Sequence, residues 1–266
     1  MNLCRADKVL IGGAAAVLGS SAVFGAGAVS VGVPLCALLA TMVDGIFRPS
    51  SSVFYPTISS VATTNRSISL TFDDGPHPET TPRVLDVLAK YSAKATFFVI
   101  GKHVEAHRSV AERIVAEGHE LGNHSWQHSY RQNVQRGGAM AAEVVRGADS
   151  IRSITGQETQ PLYRAPVGIK SPELARVAHK LDLTIVAWSI HSRDTIDSNA
   201  KRVAERVLRG VRPGSIALLH DGHERVGRMR TNGLEALPRI LEGLRERGLS
   251  SVTVSQLLAS QSPAAL

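Results

Sequence analysis

The chain has 266 residues, of which 43% are hydrophobic, and this is enough for one large globular domain with an additional segment. The formal net charge is +7, but the basic residues are spread along the chain and aromatic residues make up only 5%. Proteins that bind single-stranded nucleic acid stack its bases on aromatic side chains set among basic ones, so we expect no nucleic-acid partner. Both cysteines, Cys4 and Cys36, lie near the N-terminus, which excludes a disulfide or a thiolate zinc site from the rest of the chain.

The chain begins with a long apolar segment. No charged residue occurs from Val9 to Val43, and the basic residues Arg5 and Lys8 precede this run. One membrane span needs about 20 apolar residues, and a Gly-Val-Pro sequence interrupts the later part of the run. We therefore expect one span near Val9–Val31. Its N-terminus would lie in the cytoplasm, and the rest of the chain on the periplasmic or extracellular side of the cytoplasmic membrane.

Two alternatives remain open for this segment. The small residues Ala26-Gly27-Ala28 resemble a signal-peptide cleavage site, and cleavage there would release a secreted protein. A hairpin of two spans would instead leave the following domain in the cytoplasm. We interpret residues 1–47 as a membrane anchor or an uncleaved signal segment, and residues 48–65, which are rich in Ser, Thr and Pro, as a linker.

After the linker, short β-rich runs alternate with amphipathic helical patterns. The expected strands are Ser67–Phe72, Ala95–Ile100, His119–Gly122, Leu162–Arg164, Leu183–Trp188, Ser215–Leu219 and Ser251–Val254. The expected helices are Thr80–Tyr91, Val104–Glu117, Gly138–Thr155, Pro172–Lys180, Ala200–Gly210 and Gly233–Arg247. This alternation predicts an α/β fold, a distorted (β/α)7 barrel of the TIM type at residues 66–258 with a C-terminal tail at 259–266. In such barrels the functional residues lie at the C-terminal ends of the strands.

Two adjacent carboxylates, Asp73 and Asp74, end the first of these strands. Like charges this close repel each other, so we expect a nearby cation or metal. His124 and His128 follow the third strand, and their spacing is typical of two imidazoles on one face of a helical turn. One carboxylate and two imidazoles with an open fourth position are a ligand set of catalytic zinc. We therefore predict that Asp74, His124 and His128 bind one divalent metal, Zn2+ in the first place, with Co2+, Ni2+, Mn2+ or iron as alternatives.

The remaining chemical groups also fall at strand ends. Asp73 is free to act as the general base, and Arg164 is its expected partner because a guanidinium keeps a carboxylate ionised and oriented. His220 ends a very apolar strand and is predicted to be the general acid that protonates a leaving amine. Asp194 is predicted to orient His220 and to raise its pKa.

Four sequence blocks, taken in order, resemble the polysaccharide deacetylases of the NodB-homology type, carbohydrate esterase family 4. They are Thr71–Pro76, His124–His128, Arg164–Gly168 and Leu218–Asp221, which resemble the first, second, third and fifth motifs of the family, and the resemblance extends over roughly Arg66–Leu258. The resemblance implies the same base, metal ligands and acid as the residue types do. It also implies three substrate-binding residues, Pro166, Val167 and Leu218. The Val167 backbone N–H is expected to stabilise the oxyanion, and Leu218 to line the acetyl pocket.

The fourth motif of that family, Asp-x-x-Asp-Trp, is altered in this chain. Its second aspartate is retained as Asp194, whereas His191 replaces the first aspartate and Thr195 replaces the tryptophan. Val167 stands where an aromatic residue is common in the third motif. These changes remove flat surface next to the sugar, so they affect the choice of glycan rather than the hydrolytic chemistry.

Together these patterns predict a membrane-anchored, metal-dependent hydrolase that removes N-acetyl groups from amino sugars of a cell-envelope polysaccharide. The nearest alternative is a deformylase or deacetylase of a lipid-linked sugar. A non-catalytic glycan-binding relative is a third interpretation, against which the complete metal and acid–base set argues. A non-haem iron oxygenase also uses two histidines and one carboxylate, but the additional Asp73 and His220 suit hydrolysis better.

Overall fold

The computed structural model describes residues 3–25, 27–129, 131, 138–156, 162–225 and 229–261. The helices are α1 (Arg5–Phe24), α2 (Ala28–Phe47), α3 (Thr80–Lys90), α4 (Gly101–Ala106), α5 (Arg108–Ala116), α6 (Ala139–Thr155), α7 (Pro172–Lys180), α8 (Ala200–Gly210), α9 (Asn232–Glu246) and α10 (Val254–Ala259). The strands are β1 (Thr57–Ile58), β2 (Ser67–Asp73), β3 (Ala95–Val99), β4 (Glu120–Asn123), β5 (Leu162–Tyr163), β6 (Thr184–Val186), β7 (Ile190–His191), β8 (Ile216–His220) and β9 (Ser250–Ser251).

The strands form one curled parallel sheet. Their order is β1-β6-β5-β4-β3-β2-β8-β7, and β9 pairs with the start of β2 outside this path. The Ala187 N–H donates to the Ile58 carbonyl at 2.7 Å, and Ser60 bridges to Ser215. The segment around β1 therefore spans part of the opening between β6 and β8. The predicted distorted α/β barrel is confirmed, in the form of a curled half-barrel.

The central strand β2 is buried and ends at the edge of the sheet where polar residues lie. All seven of its residues are buried, as expected of a parallel strand covered on both faces. Phe72 of β2 stacks on Phe97 of β3 with ring centroids 5.1 Å apart. The parallel register places Asp73 opposite His220 of β8. The C-terminal ends of these strands therefore coincide at one edge of the sheet, where the polar residues emerge.

The N-terminal apolar segment is a hairpin of two helices, whereas the sequence predicted one continuous span near Val9–Val31. Helix α1 ends at Phe24 because Gly25 turns the chain with a left-handed φ of 76°. Helices α1 and α2 then pack against each other, with Gly13 lying against Leu38. Each of the two helices has 20 residues and is long and apolar enough to cross a membrane.

Both open ends of this hairpin dock on the same part of the α/β domain. At the start of α1, Cys4 and Ala6 are buried in a cluster with Ala175 of α7. Asp7 pairs with Arg176 of α7 at 2.8 Å. At the end of α2, Ile46 packs against the same cluster. The N-terminus and the α/β domain therefore lie at one end of the hairpin, and the turn lies at the other.

The segment expected to be a linker packs on the sheet over part of its length. Its strand β1 pairs with β6, and Phe54 and Val61 are buried. Lys170 binds it through its ammonium group, which donates to the Pro49 carbonyl at 2.7 Å and to the Ser51 carbonyl. Composition alone did not indicate these contacts, because each is made by a residue distant in sequence.

Three local expectations differ from the structure. The predicted helix Val104–Glu117 is divided into α4 and α5, because His107 has non-helical dihedral angles (φ −129°, ψ 48°). The short strand β7 was not predicted. The last predicted strand, Ser251–Val254, ends early because the Thr253 side chain caps α10 by accepting a hydrogen bond from the Gln256 N–H.

Candidate active site

A cleft of about 330 Å3 opens at the C-terminal ends of the strands. It contains most of the residues that the sequence singled out, brought together from β2, the loop after β4, the turn after β5 and the end of β8. The lining residues are Asp73, Asp74, His124, His128, Val167, Trp188, His191, Thr195, Ile196, Leu218, His220, Glu224 and Arg230.

The three predicted metal ligands form a buried cluster at the floor of this cleft. One ligand atom from each of Asp74, His124 and His128 lies within 4.8 Å of the other two. The Asp74 Oδ1 atom is 3.3 Å from the His128 Nε2 atom and 3.6 Å from the His124 Nε2 atom. This arrangement of one carboxylate and two imidazoles suits a divalent metal.

The two histidines are not on a helix, so the helical expectation for this pair is wrong. Ser125 and His128 have left-handed φ values of 67° and 55°, which a helix does not allow. The loop is held by side-chain hydrogen bonds instead. The Ser125 N–H donates to the Asn123 Oδ1 atom at 2.9 Å, and the His128 N–H donates to the Ser125 hydroxyl at 3.0 Å. This tight loop brings the imidazole rings to a centroid separation of 4.9 Å.

The orientation of His124 leaves one ring nitrogen free for a ligand bond. Its Nδ1 atom is 2.8 Å from the Arg164 carbonyl, so Nδ1–H donates there and Nε2 faces the cluster. Burial, together with the neighbouring His128, lowers the pKa of His124 to about 3, with Asp74 opposing the shift. The imidazole is therefore neutral, as a metal ligand must be.

The carboxylate of Asp74 shows why a metal fits this cluster. Its Oδ1 atom is buried and has no hydrogen-bond partner among the described residues, although an ionised oxygen there needs a cation or a donor. Its Oδ2 atom accepts a hydrogen bond from Arg230 at 2.7 Å. Arg230 also pairs with Glu224 at 3.2 Å. The charged neighbours therefore occupy one oxygen of Asp74 and leave the other for the metal.

The backbone of Asp74 is held in an unusual conformation. Its φ of 73° is uncommon for a residue with a side chain. The Nδ1–H of the buried His103 donates to the Asp74 carbonyl at 3.0 Å. At the next residue, a Cβ atom on Gly75 would come within 2.4 Å of the buried Asp221 carboxylate, so only glycine fits there.

Burial raises the pKa of Asp221 to about 7, against the effect of its Thr81 hydrogen bond.

Asp73 is fixed by Arg164, which is completely buried. The Arg164 Nη1 atom donates to the Asp73 Oδ1 atom and to the Thr71 hydroxyl, each at 2.7 Å. The other guanidinium nitrogens donate to the carbonyls of Val186 and Ala187. Every arm of this buried cation is satisfied, which offsets its desolvation. The second Asp73 oxygen, Oδ2, faces the cluster at 3.7 Å from His124.

His220 is bound to Asp194 by two hydrogen bonds. Its Nδ1–H lies 2.9 Å from the Asp194 Oδ1 atom, and its backbone N–H donates to Oδ2 at 2.8 Å. Burial alone would lower the pKa of His220, but the charge and hydrogen bond of Asp194, aided by Asp74 and Asp73, raise it to about 9. The imidazole is therefore a cation at neutral pH, with Nε2–H free to donate.

The predicted substrate-binding residues divide into two groups. Val167 and Leu218 line the cleft, with Val167 on its rim and Leu218 buried. Pro166 is buried in the tight turn Pro166–Gly168 and does not belong to the lining. Val167 has a left-handed φ of 51° within that turn.

Sequence reasoning missed several residues of the cleft wall. Trp188 lies at the end of a predicted strand, and this position could have marked it. Its ring meets that of His191 edge-on at 5.7 Å, so the cleft keeps one aromatic surface. Glu224 and Arg230 come from the loop after β8, where no motif indicated them. The only available signal was that a loop after a barrel strand faces the site.

Comparison with known proteins gives a consistent result. Residues 60–186 match the family model described as Polysaccharide deacetylase. A chitooligosaccharide deacetylase from Bradyrhizobium is 38% identical over 72% of this chain and 90% of that protein. A peptidoglycan-N-acetylglucosamine deacetylase from Bacillus cereus is 34% identical over 74% of this chain and 91% of that protein. The crystal structure of the Bc1960 peptidoglycan N-acetylglucosamine deacetylase superposes with a TM-score of 0.70 at 26% identity, covering 77% of this chain and 95% of that one.

Proposed function

Because this chain belongs to the polysaccharide deacetylase family, we propose that it removes N-acetyl groups from amino sugars of a cell-envelope polysaccharide. The observation that carries the proposal is the buried cluster of Asp74, His124 and His128 with a fixed carboxylate and a cationic imidazole at adjacent strand ends. The relatives compared above deacetylate chitooligosaccharide and peptidoglycan N-acetylglucosamine, and both substrates are N-acetylated glycans.

The metal site supplies part of the chemistry. Asp74, His124 and His128 would hold one divalent ion, for which we propose Zn2+, with Co2+, Ni2+ and Mn2+ as alternatives. When bound, the ion would supply a Lewis acid for the amide carbonyl and lower the pKa of the attacking water.

Asp73 is proposed as the general base. Its Oδ1 atom is held by a hydrogen bond from Arg164 at 2.7 Å, while Oδ2 faces the ligand cluster. It would accept the proton of the water that attacks the acetyl carbonyl. Arg164 acts through Asp73, so it is a positioning residue.

His220 is proposed as the general acid. Because Asp194 holds the pKa of His220 at about 9, the imidazolium is present at neutral pH. It would donate its Nε2 proton to the sugar nitrogen as the C–N bond breaks, giving acetate and a free amine. The Val167 N–H is proposed to donate to the developing oxyanion, and Leu218 to contact the acetyl methyl group.

The site of action is proposed from the substrate and from the apolar segment. The two N-terminal helices are consistent with a membrane anchor or a signal sequence. We propose attachment to the cytoplasmic membrane with the catalytic region on the periplasmic or extracellular side, where an envelope glycan is exposed. Cleavage of the segment would instead release the enzyme.

A panel of acetylated glycans tests the proposed function. The full-length protein, loaded with Zn2+ in detergent, is incubated with N-acetylated chitooligosaccharide, peptidoglycan and O-acetylated xylan, and released acetate is measured. We expect acetate from one or both N-acetylated glycans. Acetate from the O-acetylated glycan alone would contradict the choice of bond, and no acetate from any of them would favour a non-catalytic glycan-binding protein.

A further inference from the structure

The exposed apolar side chains of the catalytic region are concentrated around its cleft. Among the described residues from 48 onward, four large hydrophobic side chains are prominently exposed: Val145, Val167, Ile196 and Met229. Val167 and Ile196 line the cleft, and Met229 precedes the lining residue Arg230. Ile196 is 81% exposed. We call Val167 and Ile196, which both line the cleft, the apolar lip. Single exposed apolar residues are ordinary, but two that share one opening are a candidate contact surface.

The same opening lies beside the base of the apolar hairpin. The Lys170 N–H donates to the Ile46 carbonyl in the last turn of α2 at 3.2 Å. Three residues further along the chain, the Pro49 ring lies against Gly168, which also contacts Trp188. Gly168 follows Val167 of the apolar lip, and Trp188 lines the cleft. The chain leaving α2 therefore supports the wall of the cleft.

The hairpin itself fits the hydrocarbon interior of a bilayer. Each helix has 20 residues, so each is about 30 Å long, the thickness of that interior. The side chains around the turn are highly exposed, Phe24 and Val29 by 78% each. The charged residues lie at the base, where Asp7 pairs with Arg176 and Asp44 pairs with Arg48. This distribution places the base at the membrane surface.

We propose that the cleft works at the membrane surface on an N-acetyl sugar carried by a membrane lipid. The inference rests on the proposed function and names its substrate class. The hairpin base fixes the cleft close to the bilayer, and the apolar lip contacts the lipid next to the sugar. The reaction is the same hydrolysis, in which water breaks the amide C–N bond and yields acetate and an amine, so no further reactant is required.

The test compares one sugar in two forms. The full-length Zn2+-loaded protein is placed in nanodiscs, and acetate release is measured from an N-acetylated chitooligosaccharide attached to a polyprenyl diphosphate in the same bilayer. The second substrate is the same oligosaccharide without its lipid, at equal total concentration. We expect kcat/KM to be at least about tenfold higher for the lipid-linked form, which corresponds to roughly 1.4 kcal/mol. Equal values would overturn the inference and leave the proposed function intact. Absence of acetate from both would contradict the proposed function instead.

Substitutions distinguish contact of the apolar lip with the lipid from the effect of membrane attachment alone. Ile196→Ser should lower the ratio of lipid-linked to free turnover by severalfold, because it removes the most exposed apolar group of the lip. Val145→Ser is the matched control, since Val145 is exposed on α6 but does not line the cleft. It should leave the ratio unchanged. An unchanged ratio in Ile196→Ser, or an equal fall in both variants, would show that the lip makes no contact with the lipid. Thermal unfolding of each variant verifies that the fold is retained.

Discussion

The two oxygens of Asp194 both bind His220, one through the ring at 2.9 Å and the other through the backbone N–H at 2.8 Å. Asp194 is itself fixed by the Ser192 hydroxyl, which donates to it at 2.8 Å. A Cβ atom at Gly233 would come within 2.6 Å of its Oδ2 atom. The packing of the carboxylate against α9 therefore holds it beside the imidazole, where it raises the pKa of His220.

The first prediction concerns this pair. In Asp194→Asn the negative charge is lost, so the neutral imidazole is favoured and the pKa of His220 falls below about 9. Because His220 must be protonated to assist the leaving amine, the alkaline limb of the kcat pH profile should move to lower pH. His191→Ala is the control, since His191 makes no hydrogen bond to His220 among those of the described residues. If the alkaline limb shifts in His191→Ala but not in Asp194→Asn, then His191 rather than Asp194 controls the pKa of His220.

The second prediction concerns the metal ligands. Asp74→Ala and His128→Ala should each abolish metal binding and activity together, because each removes one of the three ligand groups that the described residues bring to the cluster. Metal content after dialysis is measured beside the circular dichroism spectrum, which should be unchanged. Stoichiometric Zn2+ in either folded variant would contradict the ligand assignment.

The third prediction distinguishes the two adjacent aspartates. Asp73→Asn keeps the hydrogen bond from Arg164 but cannot accept a proton, so turnover should fall by about 10²–10⁴-fold while the metal is retained. Metal content and kcat are measured on the same sample. If metal and activity disappear together, Asp73 is a ligand rather than the base.

The fourth prediction concerns Arg230, which sequence reasoning did not identify. Its guanidinium fixes one oxygen of Asp74 at 2.7 Å, and loss of such a partner commonly costs about 10–100-fold in metal affinity. Arg230→Met should therefore raise the Zn2+ dissociation constant by about that factor, measured by competition with a chromophoric chelator. Arg225→Met, in the same loop and exposed, is the control. Equal affinities in the two variants would show that the pairing does not support the ligand.

The fifth prediction concerns the membrane topology. Since Asp7 pairs with Arg176 at the base of the hairpin, the N-terminus and the catalytic region should lie on the same side of the membrane. Reporters fused to either end should therefore give the same result, and both should be extracytoplasmic under the proposed function. Opposite results would restore a single span. Two cytoplasmic results would keep the hairpin but contradict the proposed side of the membrane.

The parts of this protein that follow from local pattern could be predicted from the sequence. Helices α7 and α8 begin and end where the periodicity placed them, and the family indicated by the motifs is confirmed by the comparisons. The Asp74, His124 and His128 cluster was predicted because three residues of metal-binding types fell after two of the predicted strands.

The parts that depend on contacts between distant residues could not be predicted from the sequence. The break at Gly25 has no signal that separates it from other glycines of the apolar run. The loop at His124 depends on the Asn123 side chain, which offers the Ser125 N–H an alternative to a helix. Arg230 reaches Asp74 across 156 positions of sequence, a distance over which no spacing rule applies.

We propose that this site hydrolyses an N-acetyl amide with Asp73 as the general base. This proposal is tested most directly by measuring acetate and new primary amine together, using N-acetylated chitooligosaccharide and the full-length Zn2+-loaded protein, with Asp73→Asn in parallel. We expect equal molar amounts of the two products from the unmodified protein, and at least about a hundredfold less of both from the Asp73→Asn variant, which should retain its metal. Acetate without amine, or full turnover in the metal-bound Asp73→Asn protein, would contradict it.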